Sequence, residues 1–151
     1  MPEIWFYQLQ RRTLEQVLPN LVERTLQRGW RAVVQAKTPE RLAAIDDLLW
    51  TYAEDSFLPH GAAADGNPDL QDVWLTLGPD NPNGAKIRFL VEGVAAEPFV
   101  ETDYVRLILL FDGRDEETLG QAREQWKILR QRNAKLGYWA ETEEGGWRQQ
   151  A

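Results

Sequence analysis

Apolar residues along the chain alternate between a period of two and a period near 3.6, and the switches mark out strands and helices. Residues 4–9 (Ile-Trp-Phe-Tyr-Gln-Leu) are aromatic and rich in β-formers, the composition of a strand. Thr13 then offers a helix N-cap to an apolar stripe at Leu14, Val17, Leu18, Leu21, Val22, Thr25 and Leu26. Pro19 lies inside the stripe and predicts a kink or a later start, because proline removes a backbone donor and clashes with the preceding turn. Gly29 ends the helix, and residues 30–36 read as a second strand with Val33 and Val34 buried at its centre. Thr38 before Pro39 signals a second helix whose buried face is Leu42, Ile45 and Leu49, with Trp50 at the edge of the stripe.

From residue 60 to 68 the chain is small, polar and glycine-rich, the pattern of a mobile loop. Strands are predicted at 73–77 and 87–91, separated by the turn-forming run 78–84. Residues 104–111 are almost continuously apolar, as a central strand buried on both faces should be. A third helix follows from about 115 to 133, and Tyr138 and Trp139 suggest a short last strand before an acidic tail that frays after about residue 143. Strands alternating with helices imply a three-layer, Rossmann-like α/β fold, with a mostly parallel sheet between helices. With 151 residues, one domain spanning 1–151 is expected.

Composition narrows the function. The chain has no cysteine, which removes disulfides, thiolate metal sites and cysteine nucleophiles. No cationic segment precedes an apolar run at the amino end, and no stretch approaches the roughly 18 apolar residues of a membrane span. A cytoplasmic protein is therefore expected. A net charge of −7 repels phosphate backbones and argues against direct nucleic-acid binding. Seven tryptophans exceed what a core of this size ordinarily needs, so some are expected at an interface.

The familiar catalytic parts are missing. The first strand-to-helix turn, residues 8–13 (Gln-Leu-Gln-Arg-Arg-Thr), carries bulky side chains where a dinucleotide site needs glycines to let backbone amides meet a pyrophosphate. No phosphate-binding loop, nucleophile elbow or histidine pair occurs, and no cofactor is expected. His60 is the only histidine; as a general base it would need an orienting carboxylate, with Glu54 and Asp55 nearest in sequence. A structural, hydrogen-bonded His60 is the plainer reading, and a small enzyme built on it is the alternative. Asp46 and Asp47 are adjacent in a helix and point about 100° apart, so they read as a solvated face rather than a metal pair.

Two constellations suggest binding. On the third helix Leu119, Ala122, Trp126 and Leu129 form one stripe, and Arg123, Lys127 and Arg130 form another beside it. Cations late in a helix, with Asp115, Glu116 and Glu117 at its start, also suit the helix dipole, and Trp126 could be plain core. Yet residues 123–135 hold five cations (Arg123, Lys127, Arg130, Arg132, Lys135) against Glu124 alone, a local excess on an acidic protein. Such a patch beside an indole suits an acidic peptide with an apolar end. The second constellation, residues 48–61, runs from a helix edge into a connector carrying Trp50, Tyr52, Phe57 and His60, which present either core or an outward face.

Phe6, Tyr7 and Leu9 in the first strand, Arg28-Gly29-Trp30-Arg31 entering the second, Leu48-Leu49-Trp50 followed by residues 55–61 (Asp-Ser-Phe-Leu-Pro-His-Gly), and Ala122-Arg123 with Trp126-Lys127 and a late Gly137 together resemble the chi subunit of bacterial DNA polymerase III. The resemblance runs through most of the chain, and its most specific piece is the block 50–61. It implies a non-catalytic accessory subunit of the replicative holoenzyme, with a nucleotide-binding-like fold that holds no nucleotide. Chi proteins bind the acidic C-terminal tail of the single-stranded-DNA-binding protein, and some pair with psi and so reach the clamp loader. By position, Arg123 and Trp126 match the family's tail-binding arginine and aromatic, with Lys127 and Arg130 as supporting charge. Trp50 and Phe57 match the face used for psi, another clamp-loader component or a helicase, and Tyr52 and His60 lie on the same segment.

Overall fold

The computed structural model describes residues 1–51, 60–62 and 66–151, apart from the Trp50 side chain. Its elements run β1 (Glu3–Leu9), α1 (Leu14–Gln27), β2 (Ala32–Gln35), α2 (Pro39–Thr51), β3 (Val73–Thr76), β4 (Ile87–Val91), β5 (Arg106–Asp112), α3 (Glu116–Gln131), β6 (Lys135–Glu141) and β7 (Trp147–Gln149). The strands form a single sheet in the order β3-β2-β4-β5-β1-β6-β7. Every pairing is parallel except that of β6 with β7. The apolar segment expected at the centre supplies β5, the middle strand, flanked by β4 and β1. This is the three-layer, Rossmann-like α/β architecture that the strand and helix alternation predicts.

Each face of the sheet has its own core. Leu14, Val17, Leu18 and Val22 of α1 and Ile45 and Leu49 of α2 bury with Leu9, Val34, Phe89, Ile108 and Leu110 on one face. On the other, Ala122 and Leu129 of α3 pack on Ile4, Phe6, Leu107, Leu109 and Phe111. Alternation along β1 and β5 sends neighbouring residues to opposite faces, so both strands are apolar over most of their length, with Glu3 and Gln8 in β1 and the terminal Arg106 and Asp112 in β5 as the polar positions. Among the described residues no helix is long and apolar enough to cross a membrane.

Three details differ from the sequence expectation, each for a local reason. Helix α1 begins at Leu14 and runs through Pro19, because a capping box fixes its start: the Thr13 hydroxyl accepts the Gln16 N–H at 3.3 Å, and Gln16 Oε1 accepts the Thr13 N–H at 2.9 Å. Pro19 falls in the second turn, where it forgoes one backbone bond while its ring is buried. The loop expected at 60–68 contains a bridge from Gly61 to Trp74 and is followed by a tight helical turn at Pro68–Leu70; residues 63–65 fall outside the described part.

The third difference is the acidic tail, which turns back on itself instead of fraying. Thr142 N–H donates to the Gly146 carbonyl at 2.8 Å across a turn in which Gly145 takes φ +87°, a conformation open to glycine. The returning strand β7 seals the edge of β6. Trp147 lies 4.7 Å from the Tyr7 ring, with the Arg12 guanidinium 5.7 Å from its own ring. Gly137, midway along β6, leaves room for an indole: a Cβ there would sit 2.4 Å from the Trp139 side chain.

Candidate functional site

Helix α3 is built to present a mixed face. Asp115 caps it, accepting the Glu117 N–H at 3.3 Å, while Glu116 and Glu117 in the first turn and Arg130 in the last follow the helix dipole. Ala122 and Leu129 are buried, Leu119 and Trp126 pack half-buried against the same core, and Arg123, Lys127 and Arg130 are exposed. The four residues singled out from the sequence, Arg123, Trp126, Lys127 and Arg130, line one cleft of about 420 Å³. Its far wall is Tyr138 of β6 with Gln150 and Ala151, just past β7.

An aromatic cluster forms the base of this cleft. The Trp126 ring meets Phe6 edge-on at 5.3 Å and Tyr138 at 5.7 Å, and Tyr138 stacks on Phe6 at 5.8 Å with the planes 10° apart. Edge-to-face contacts of this kind hold rings in fixed orientation. The Tyr138 hydroxyl donates to Gln8 Oε1. Burial raises its pKa, and the positive charge of Arg123 pulls in the opposite direction. Among the described residues neither Arg123 nor Arg130 has a carboxylate within ion-pair distance, and Lys127 makes only an exposed contact of 3.8 Å with Glu124. An exposed pair at that distance contributes little, so the rim keeps its positive charge. The arrangement suits an acidic chain ending in an apolar group: guanidinium and ammonium groups for carboxylates, and a rigid aromatic surface for the end.

Tyr138, Gln150 and Ala151 were not singled out in the sequence, since a tail read as frayed offers no wall. The signal was the glycine pair Gly145-Gly146 between two aromatic, polar-alternating segments, a hairpin pattern.

The second constellation is placed only in part. Tyr52 and Phe57, with Glu54 and Asp55, lie outside the described residues, as does the Trp50 side chain. His60 is described, and its side chain is fully buried, with Nε2 2.8 Å from Asp46 Oδ1. Asp46, expected on a solvated helix face, is about one-third exposed and also ties α2 to His60. Enclosed in this way, His60 acts as a tether to α2.

At the β1–α1 turn, where a dinucleotide fold offers backbone amides to a phosphate, the chain supplies its own anion. Glu141 Oε1 accepts the N–H groups of Gln10, Arg11 and Arg12 at 3.0, 2.7 and 3.0 Å, and Oε2 pairs with the Arg12 guanidinium. Burial alone would raise the Glu141 pKa, but these bonds outweigh it and hold the carboxyl at about 2.

Comparison with known proteins identifies a family. The family model described as DNA polymerase III chi subunit, HolC, matches residues 1–137. The probable DNA polymerase III subunit chi of Rickettsia prowazekii (strain Madrid E) is 27% identical over 71 residues, a match that takes in 47% of this chain and 43% of that protein. The chain thus spans less than half the length of this relative. Arg123, Trp126, Lys127 and Arg130 fall within the family match, while Tyr138 and strand β7 lie beyond it.

Proposed function

Because the chain belongs to the DNA polymerase III chi subunit family, we propose that it is a non-catalytic accessory subunit of the replicative polymerase that holds the acidic C-terminal tail of the single-stranded-DNA-binding protein in the cleft on α3. One observation carries this reading: uncompensated cations and a fixed aromatic floor converge on one cleft of a protein whose net charge is −7. Arg123 takes the terminal carboxylate through its planar fork, Trp126 and Tyr138 pack the terminal apolar side chain, and Lys127 and Arg130 attract the acidic residues before it. The segment around Trp50, Tyr52 and Phe57 serves as the second face and joins the subunit to psi, another clamp-loader component or a helicase. This second role rests on the family resemblance of those residues.

The test is a binding series with a labelled peptide bearing the acidic, phenylalanine-ended tail. Affinity near the micromolar level is expected at low salt, falling as salt rises because the rim charges are solvent-exposed. Arg123→Ala and Trp126→Ala should each weaken binding by about tenfold or more. Binding that ignores salt and survives both substitutions would refute the site.

A further inference from the structure

A second cationic cleft lies on the opposite face of the sheet, where the C-terminal end of α1 meets the amino ends of β1, β4 and β5. Arg24 and Arg28 come from the end of α1, and Arg106 is the first residue of β5. With Trp5, Tyr7 and Trp30 they line a cavity of about 110 Å³. Among the described residues none of the three arginines has a carboxylate within 4 Å, although ion pairs occupy Arg12, Arg31, Arg41, Arg114 and Arg132 elsewhere on the molecule. The dipole of α1 accounts for Arg24 and Arg28 at a helix C-terminus. It does not account for Arg106, which belongs to another element.

Arg106 is the unusual group. Its guanidinium carbon lies over the Trp5 ring, 3.4 Å from the ring centroid, and its Nε is buried without any acceptor. A buried guanidinium donor left unpaired is costly, and native structures rarely leave one so without a reason. The nearest acidic influence is Glu3, paired with Arg106 in strand register, but its Oε2 takes the Trp5 indole N–H at 3.1 Å. All three arginines also act electrostatically on the Tyr7 hydroxyl, whose pKa is raised by burial and lowered by each of them, so their charges converge on one place. Three guanidiniums and one carboxylate leave a local charge near +2.

We propose that this cleft is a phosphate-binding site, separate from the cleft on α3, that takes one phosphate group either free or at the end of a nucleotide. A dianion matches the local charge, where a single carboxylate would leave an excess. The forked N–H groups of several arginines suit the three terminal oxygens of a phosphate. The cavity is about the volume of three to four waters at roughly 30 Å³ each, enough for one tetrahedral anion but not for a whole nucleotide. A nucleoside carrying the phosphate would therefore lie outside the cavity, against the half-exposed edges of Trp5 and Trp30. The Trp5 indole covers one side of the Arg106 guanidinium, which strengthens the pull of that charge on an anion.

The test follows the indole N–H signals of the full chain by NMR during titration with inorganic phosphate, thymidine 5′-monophosphate, and a short single-stranded oligonucleotide with and without a 5′-phosphate. Saturable shifts at Trp5 and Trp30 in the millimolar range or tighter are expected for the phosphate-bearing probes. Tighter binding of the 5′-phosphorylated oligonucleotide than of the monophosphate would identify a strand end as the source, and the reverse order a free nucleotide. Arg28→Ala, at an exposed position, should weaken binding by about fivefold or more while leaving the acidic peptide bound at α3. Arg106→Gln should abolish it, and Arg106→Lys should restore part of it. Shifts confined to Trp126, equal response to the unphosphorylated strand, or no loss in Arg28→Ala would overturn the proposal.

Discussion

Glu141 shows how one residue can decide what a turn does. Three backbone N–H groups and a guanidinium converge on its carboxylate, so the fold stabilises the ionised form and depresses the pKa from 4.5 to about 2. A depressed acid adds stability above its unfolded value and loses it as pH falls through the folded one. The contribution should therefore be complete above pH 4.5 and disappear toward pH 2, and it is on the order of 2 kcal/mol. Glu141→Gln should lower the urea midpoint at pH 7 and flatten the decline of stability between pH 4.5 and 2. An unchanged acid limb would show that the turn does not depend on this charge. Nothing in local sequence marks Glu141, because its partners lie about 130 positions earlier. Arg88, in the middle of the apolar strand β4, is likewise fully buried, and donates to Gln35, Tyr104 and the carbonyls of Gly78 and Asp80.

Among the elements, those that carry their own signals were legible. The Thr13 cap, the Thr38-Pro39 start, the apolar run of β5 and the acids 115–117 at the start of α3 all act within a few residues, and the corresponding elements appear close to where they point. Tyr138 and Trp139 marked β6, but β7 lay in the segment read as a fraying tail, since a three-residue edge strand depends on what it packs against rather than on its own propensity. Its anchor is Trp147, held between Tyr7 and Arg12. Trp147→Ala should destabilise the protein by about 2 kcal/mol and also weaken the acidic peptide several-fold, because Gln150 and Ala151 form a wall of the cleft. Thermal melting and peptide titration measure the two effects separately. A stability loss with unchanged peptide affinity would show that the wall takes no part in binding.

For the molecule as a whole, charge is divided by face. An acidic protein places a group of cations in each of two clefts on opposite sides of one sheet, each beside half-buried aromatic rings. The α3 cleft was half legible: the helix period places Arg123, Trp126, Lys127 and Arg130 side by side, but only the tertiary fold adds Phe6 beneath and Tyr138 opposite. The α1 cleft was not legible, since its arginines come from elements about 80 residues apart and no local spacing brings them together. The central claim is that α3 carries the peptide site. It is tested most directly by titrating the full chain with the acidic, phenylalanine-ended peptide bearing a paramagnetic label near its last residue and reading the tryptophan indole signals. The account predicts selective broadening of Trp126, with Trp5 and Trp30 on the far face unaffected. Saturable binding that leaves Trp126 sharp, or that broadens Trp5 and Trp30 instead, would contradict it.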